Sequence, residues 1–126
     1  MILVFGGAYQ GKLDYVLEKY NLNKDDVERC NVGKASLGFD KKVIYGLDKF
    51  IFACVKEGVE AKEVLVENLD KLQDKIIICD DISQGIVPLD KDEREWREAT
   101  GRAMVALGKM ADDVYRVFCG LATKIK

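Results

Sequence analysis

Gly6 to Lys12 read Gly-Gly-Ala-Tyr-Gln-Gly-Lys, directly after the apolar run Met1–Phe5. Gly6, four residues, then Gly11-Lys12 is the spacing that lets a loop fold its amides around phosphate oxygens while one ammonium reaches the outer phosphates. Exposed amides and the positive end of a following helix favour an anion there without any side chain. The candidate phosphate contacts are Gly6, Gly7, Ala8, Tyr9, Gln10, Gly11, Lys12 and Leu13. Tyr9 and Gln10 could touch a base or an acceptor. The bland alternative is a glycine-rich turn with a surface lysine; a strand before and a helix after favour phosphate. Lys12 is expected to be exposed. Leu13 stands where Ser or Thr would normally ligate magnesium, so a metal would have to rest on phosphate oxygens, water and acids.

Ile76-Ile77-Ile78-Cys79-Asp80-Asp81 is the second candidate. An apolar strand ending in acids can offer Asp80 and Asp81 to a nucleotide-bound magnesium. The alternative is a turn, which Asp favours through local hydrogen bonds. Lys12 and Asp81 are the candidate catalytic residues: Lys12 would sit on the phosphates, and Asp80 or Asp81 would hold magnesium or take a hydroxyl proton. Arg94, Arg97 and Arg102 could each reach a phosphate or carboxylate, and the sequence does not select among them.

The elements around these residues alternate. Leu13, Val16, Leu17 and Tyr20 recur at helical spacing, predicting a helix that opens at Lys12. Val27–Cys30 and Lys42–Tyr45 are short candidate strands. Leu47, Phe50, Ile51, Cys54 and Val55 form one helical face, with Gly58 just past its end. Ala61, Val64, Leu65, Leu69 and Leu72 form another. Lys75–Cys79 reads as a strand covered on both sides. Gly85–Pro88 is a loop, and Asp90 followed by Glu93 opens a long helix with the stripe Trp96, Ala99, Ala103, Leu107 and Met110. That stripe keeps helical spacing with alanines and reads as core. Asp113–Cys119 is a strand and Leu121–Lys126 a final edge segment. Strands separated by helices predict one three-layer α/β domain over residues 1–126, with a mostly parallel sheet flanked by helices.

Composition narrows the partners. Twenty basic and 22 acidic residues leave a net charge of −2, spread along the chain, which argues against nucleic acid or an anionic membrane as partner. The apolar runs are far below a membrane span, and the chain enters its first strand at once, so a cytoplasmic protein is expected. Cys30, Cys54, Cys79 and Cys119 lie far apart, no Cys-x-x-Cys is present and the chain has no histidine. Three or four small buried thiols in a reducing compartment are expected rather than a zinc site.

Gly85-Ile86-Val87-Pro88, Gly101-Arg102, Ala111–Tyr115 and the ending Gly120–Lys126 resemble the bifunctional adenosylcobinamide kinase and adenosylcobinamide-phosphate guanylyltransferase family of cobalamin synthesis. The loop is similar to that family's Gly-Gly-Ala-Arg-Ser-Gly-Lys-Ser. The resemblance covers roughly the first 20 and last 50 residues. It implies a P-loop NTPase-like fold, ATP or GTP as ligand with magnesium, phosphorylation of a corrinoid (adenosylcobinamide), guanylyl transfer and homo-oligomers. By position Gly6, Gly7, Gly11 and Lys12 match the phosphate loop, Asp80 and Asp81 replace the family's Asn-Glu, and Arg102 matches its Gly-Arg arginine. The family's guanylylated intermediate sits on a histidine, which this chain lacks, so guanylyl transfer by that route is chemically closed. The acidic strand end before the family's middle helix corresponds to Tyr45-Gly46. The readings that follow are a kinase stripped of guanylyl transfer, a non-catalytic relative that binds a nucleotide or corrinoid phosphate, and a structural subunit with an idle loop.

Overall fold

Short apolar segments pair into a sheet in the order β2-β3-β4-β1-β5-β6. The computed structural model describes residues 1–82 and 90–126. The strands are β1 (Ile2–Gly6), β2 (Val27–Arg29), β3 (Val43–Tyr45), β4 (Ile76–Asp80), β5 (Asp113–Phe118) and β6 (Leu121–Lys124). β1 to β5 run parallel, and β6 returns antiparallel on β5. The three-layer α/β arrangement expected from the alternating periodicities is the one adopted.

Strand alternation divides the core into two layers. Leu3, Ile77, Cys79 and Val114 face the helices α2 (Leu47–Glu57), α3 (Ala61–Glu67), α4 (Leu69–Leu72) and α5 (Lys91–Met110). Val4, Ile76, Ile78, Tyr115 and Val117 face α1 (Lys12–Lys19), whose Val16 is fully buried. The isoleucine run of β4 is covered on both sides, as a central parallel strand requires. Ala99, Ala103 and Leu107 of the α5 stripe are buried, while Trp96 is half-buried at the N-terminal end. Asp90 caps α5 by accepting from the amides of Asp92 and Glu93.

Two local expectations need correction. The helix anticipated from Ala61 to Leu72 breaks at Asn68, whose side-chain and backbone amides both donate to the Val64 carbonyl, at 2.8 and 3.2 Å. Of the four cysteines, Cys54 and Cys79 are buried and Cys30 partly so, but Cys119 is exposed; all four are free thiols. The loop expected at Gly85–Pro88 lies outside the described residues. No described helix is long and apolar enough to cross a membrane.

Candidate anion site at the end of the first strand

β1 delivers its chain to the carboxyl end of the sheet, where ligands collect in folds of this kind. Gly6 ends the strand, paired with Asp80 of β4. Its φ is +156°, and a Cβ built there would lie 2.3 Å from the Val117 carbonyl oxygen, so only glycine fits. Gly11 then takes a left-handed conformation as the N-cap of α1 and makes no side-chain cap. The first-turn amides of α1 therefore have no side-chain acceptor from the cap, the condition under which a helix start attracts an anion.

The loop is held from outside. The Cys119 amide donates to Gln10 Oε1 at 2.7 Å, and the Gly120 amide donates to the Gln10 carbonyl at 2.9 Å. Cys119 and Gly120 both have positive φ, as a two-residue hairpin turn between β5 and β6 demands. Gln10 therefore clasps the loop and is not directed at a base. Tyr9 sits at the tip, wholly exposed with φ of 60°.

Lys12 is not exposed as expected. Only 4% of its surface is accessible; Nζ donates to the Gly7 carbonyl at 2.7 Å and pairs with Asp80 Oδ1 at 2.6 Å. Asp80 is held in turn. Its amide donates to Asp48 Oδ1 at 3.1 Å, and the Asp48 carbonyl accepts from Trp96 Nε1 at 2.7 Å. One connected set of polar contacts thus runs from α5 through the start of α2 and the end of β4 to the loop. Asp48 is itself buried, and burial pushes its carboxyl above the usual aspartate range, opposed by the hydrogen bond from the Asp80 amide.

Between these groups lies a cavity of about 420 Å³, lined by loop residues 8–14 together with Tyr45, Lys49 and Asp80. Of the residues singled out in the sequence, Ala8, Tyr9, Gln10, Gly11, Lys12, Leu13 and Asp80 line it. Gly6 and Gly7 do not line it; Gly6 pairs with Asp80, and the Gly7 carbonyl accepts from Lys12. Asp81 points elsewhere: its amide donates to the Gly6 carbonyl at 2.8 Å, and it lines a separate apolar cavity of about 280 Å³ with Phe5, Thr100 and Met104. Arg102 is also removed from the loop. Its guanidinium pairs with Glu60 at 3.0 Å, across the α5–α3 contact. The phosphate-contact role expected of Arg102 therefore has no support in the geometry.

The same geometry tests magnesium. Leu13 offers no oxygen, Asp80 is engaged by Lys12, and Asp81 does not line the loop cavity. Among the described residues no three His, Cys, Asp or Glu gather where a metal could be held. The donor set of the described residues does not fit a resident divalent ion. Sequence reading missed Tyr45, Asp48 and Lys49. An acid in a first helical turn looks like an ordinary dipole partner, and nothing local marks a lysine as facing a loop 37 residues earlier.

Comparison with known families adds an independent line. The model of the family described as cobinamide kinase / cobinamide phosphate guanyltransferase matches residues 43–125, from β3 through β6. That span contains Asp48, Asp80 and the clasp at Cys119 but not the loop itself. No protein of curated function matches the chain.

Proposed function

Because the chain belongs to the cobinamide kinase / cobinamide phosphate guanyltransferase (CobU) family, we propose that it binds the phosphates of ATP or GTP at the Gly6–Lys12 loop and retains at most the kinase half of the family's chemistry. The observation that carries this reading is Lys12: an ammonium with 4% exposure, between a carboxylate and a carbonyl, at the wall of a 420 Å³ cavity beside an uncapped helix start. A lysine serving only solubility would not be buried this way. In this reading the cavity takes the outer phosphates, and Lys12 exchanges Asp80 for a phosphate oxygen when the anion arrives. Phosphoryl transfer breaks the bond from the γ-phosphorus to its bridging oxygen and forms one to a hydroxyl of cobinamide. The hydroxyl proton passes to a carboxylate; of the two acids expected for this, Asp80 lines the loop cavity, and Asp81 can serve only if the acceptor hydroxyl enters from the neighbouring cavity that it lines. Guanylyl transfer through histidine is absent from the proposal, because the chain has no histidine. A cytoplasmic location and homo-oligomeric assembly belong to the same proposal.

One arrangement favours a second reading, binding without turnover. Asp80 and Asp81 face different cavities, so no pair of acids converges on the loop. Melting curves with ATP and with GTP test the shared claim: a ligand at 100 times its dissociation constant adds about 2.7 kcal/mol. Absence of any shift with both nucleotides overturns both readings. Transfer of labelled γ-phosphate to cobinamide selects the first; a shift without transfer selects the second.

A further inference from the structure

Resting on the nucleotide-binding reading above, we infer that Lys49 is a second phosphate-binding cation that stands in for the divalent ion, so that this site takes a polyphosphate without magnesium.

Charge balance at the cavity is the starting point. Its charged lining consists of Lys12, Asp14, Lys49 and Asp80. Lys12 is already neutralised by Asp80 at 2.6 Å, and Asp14 in the first turn of α1 opposes an anion. A triphosphate brings several negative charges into this space and needs more than one ammonium to offset them. In most phosphate loops the balance comes from a divalent ion held partly by a loop hydroxyl. Here that position is Leu13, and the acids do not assemble around a common point.

Lys49 has the placement the missing ion would need. It lies on the first turn of α2, opposite the loop across the cavity, and its Nζ is 3.7 Å from the point where a Gly46 Cβ would stand. Gly46 is a left-handed N-cap without a side-chain cap, so the positive end of α2 faces the same region. Among the described residues no carboxylate lies within ion-pair distance of Lys49, in contrast to Lys12, Lys56 and Lys124. The side chain is exposed, and its charge acts on the neighbouring buried Asp48 without a direct ion pair. The two lysines thus flank an anion from the two sheet positions that β1 and β3 provide.

Calorimetric titration with inorganic tripolyphosphate and with ATP, each in EDTA and in magnesium, tests this. The wild type is expected to bind in EDTA within about threefold of its affinity in magnesium. Lys49→Gln should weaken binding in EDTA about tenfold or more, equivalent to about 1.4 kcal/mol. Lys49→Arg should restore most of it. The unliganded melting temperature of both variants should match wild type, since an exposed, unpaired side chain contributes little. Wild-type binding that appears only with magnesium, or Lys49→Gln binding as wild type, overturns this inference and leaves nucleotide binding standing. A wild type that binds neither anion under either condition overturns the nucleotide-binding reading and this inference with it.

Discussion

The Cys119 amide and the Gln10 side chain meet at 2.7 Å, joining a hairpin turn near one end of the chain to the phosphate loop near the other. The loop's shape is therefore a property of the β5–β6 hairpin as much as of its own glycines. Gln10→Ala removes the acceptor and leaves the Cys119 amide exposed to water. We expect a loss of about 1 kcal/mol in urea unfolding and a weakening of nucleotide affinity several times larger than that of Tyr9→Ala. Equal affinity in the two variants would show that the clasp does not shape the anion site.

Gly6→Ala should be the most damaging change in the loop. A methyl group would meet the Val117 carbonyl at 2.3 Å at a backbone angle side chains avoid, and both partners belong to paired central strands that cannot move apart independently. Gly11→Ala also sits at a left-handed angle, φ +87°, but its methyl group meets nothing nearer than Gly120 Cα at 3.4 Å. Chemical denaturation should place Gly6→Ala below Gly11→Ala by at least about 2 kcal/mol, with Gly11→Ala itself within about 1–2 kcal/mol of wild type.

Lys12 and Asp80 should behave as a coupled pair. Removing Asp80 strands an ammonium that is nearly inaccessible, while Asp80 remains about a quarter exposed and water softens the reverse loss. Asp80→Ala is thus expected to destabilise more than Lys12→Met, by about 1–3 kcal/mol, and the double variant should recover part of the difference. Asp80→Asn should also tighten tripolyphosphate binding, since the anion no longer competes with a carboxylate for Lys12. Additive single changes in a double-mutant cycle would show that the contact carries no coupling.

Asp48 makes stability depend on pH in an unusual direction for an acid. Its native carboxyl titrates above the unfolded value because of burial, so the folded state holds the proton longer. The unfolded chain loses its proton first, near pH 4, and the contribution of Asp48 then falls as pH rises through the native value. Asp48→Asn keeps an oxygen to accept from the Asp80 amide and removes the charge. The variant should match wild type in acid and gain on it toward neutral pH. A constant difference between the two unfolding free energies from pH 4 to 8 would contradict this.

Thr100 offers a test away from the loop. Its Oγ1 is buried against the apolar cavity with no hydrogen-bond partner among the described residues. Thr100→Val keeps the shape and removes the unsatisfied hydroxyl, so unfolding should become harder by about 1 kcal/mol. A loss instead would mean that the hydroxyl is satisfied in solution.

Much of this molecule could be read from local pattern. The apolar run before Gly6, the isoleucines of β4 and the alanine stripe of α5 each report their own burial, because strand and helix periods are set by backbone geometry within a few residues. The phosphate-loop spacing is likewise local, and the expected fold is the one found. The break at Asn68 was hidden because a side-chain amide bonding back to a carbonyl one turn earlier leaves no trace in apolar periodicity.

The site itself was decided in three dimensions. Neighbouring acids look like one feature in sequence, yet β alternation sends Asp80 toward Lys12 and Asp81 toward α5. Arg102 matched a motif, but the packing of α5 on α3 spends its charge on Glu60. Lys49, Asp48 and the Cys119 clasp reach the loop only because parallel pairing sets the ends of β3 and β4, and the turn after β5, beside the end of β1. The contacts that build the site join residues 32 to 109 positions apart, and that distance is why chemistry lodged there is written in no single stretch of chain.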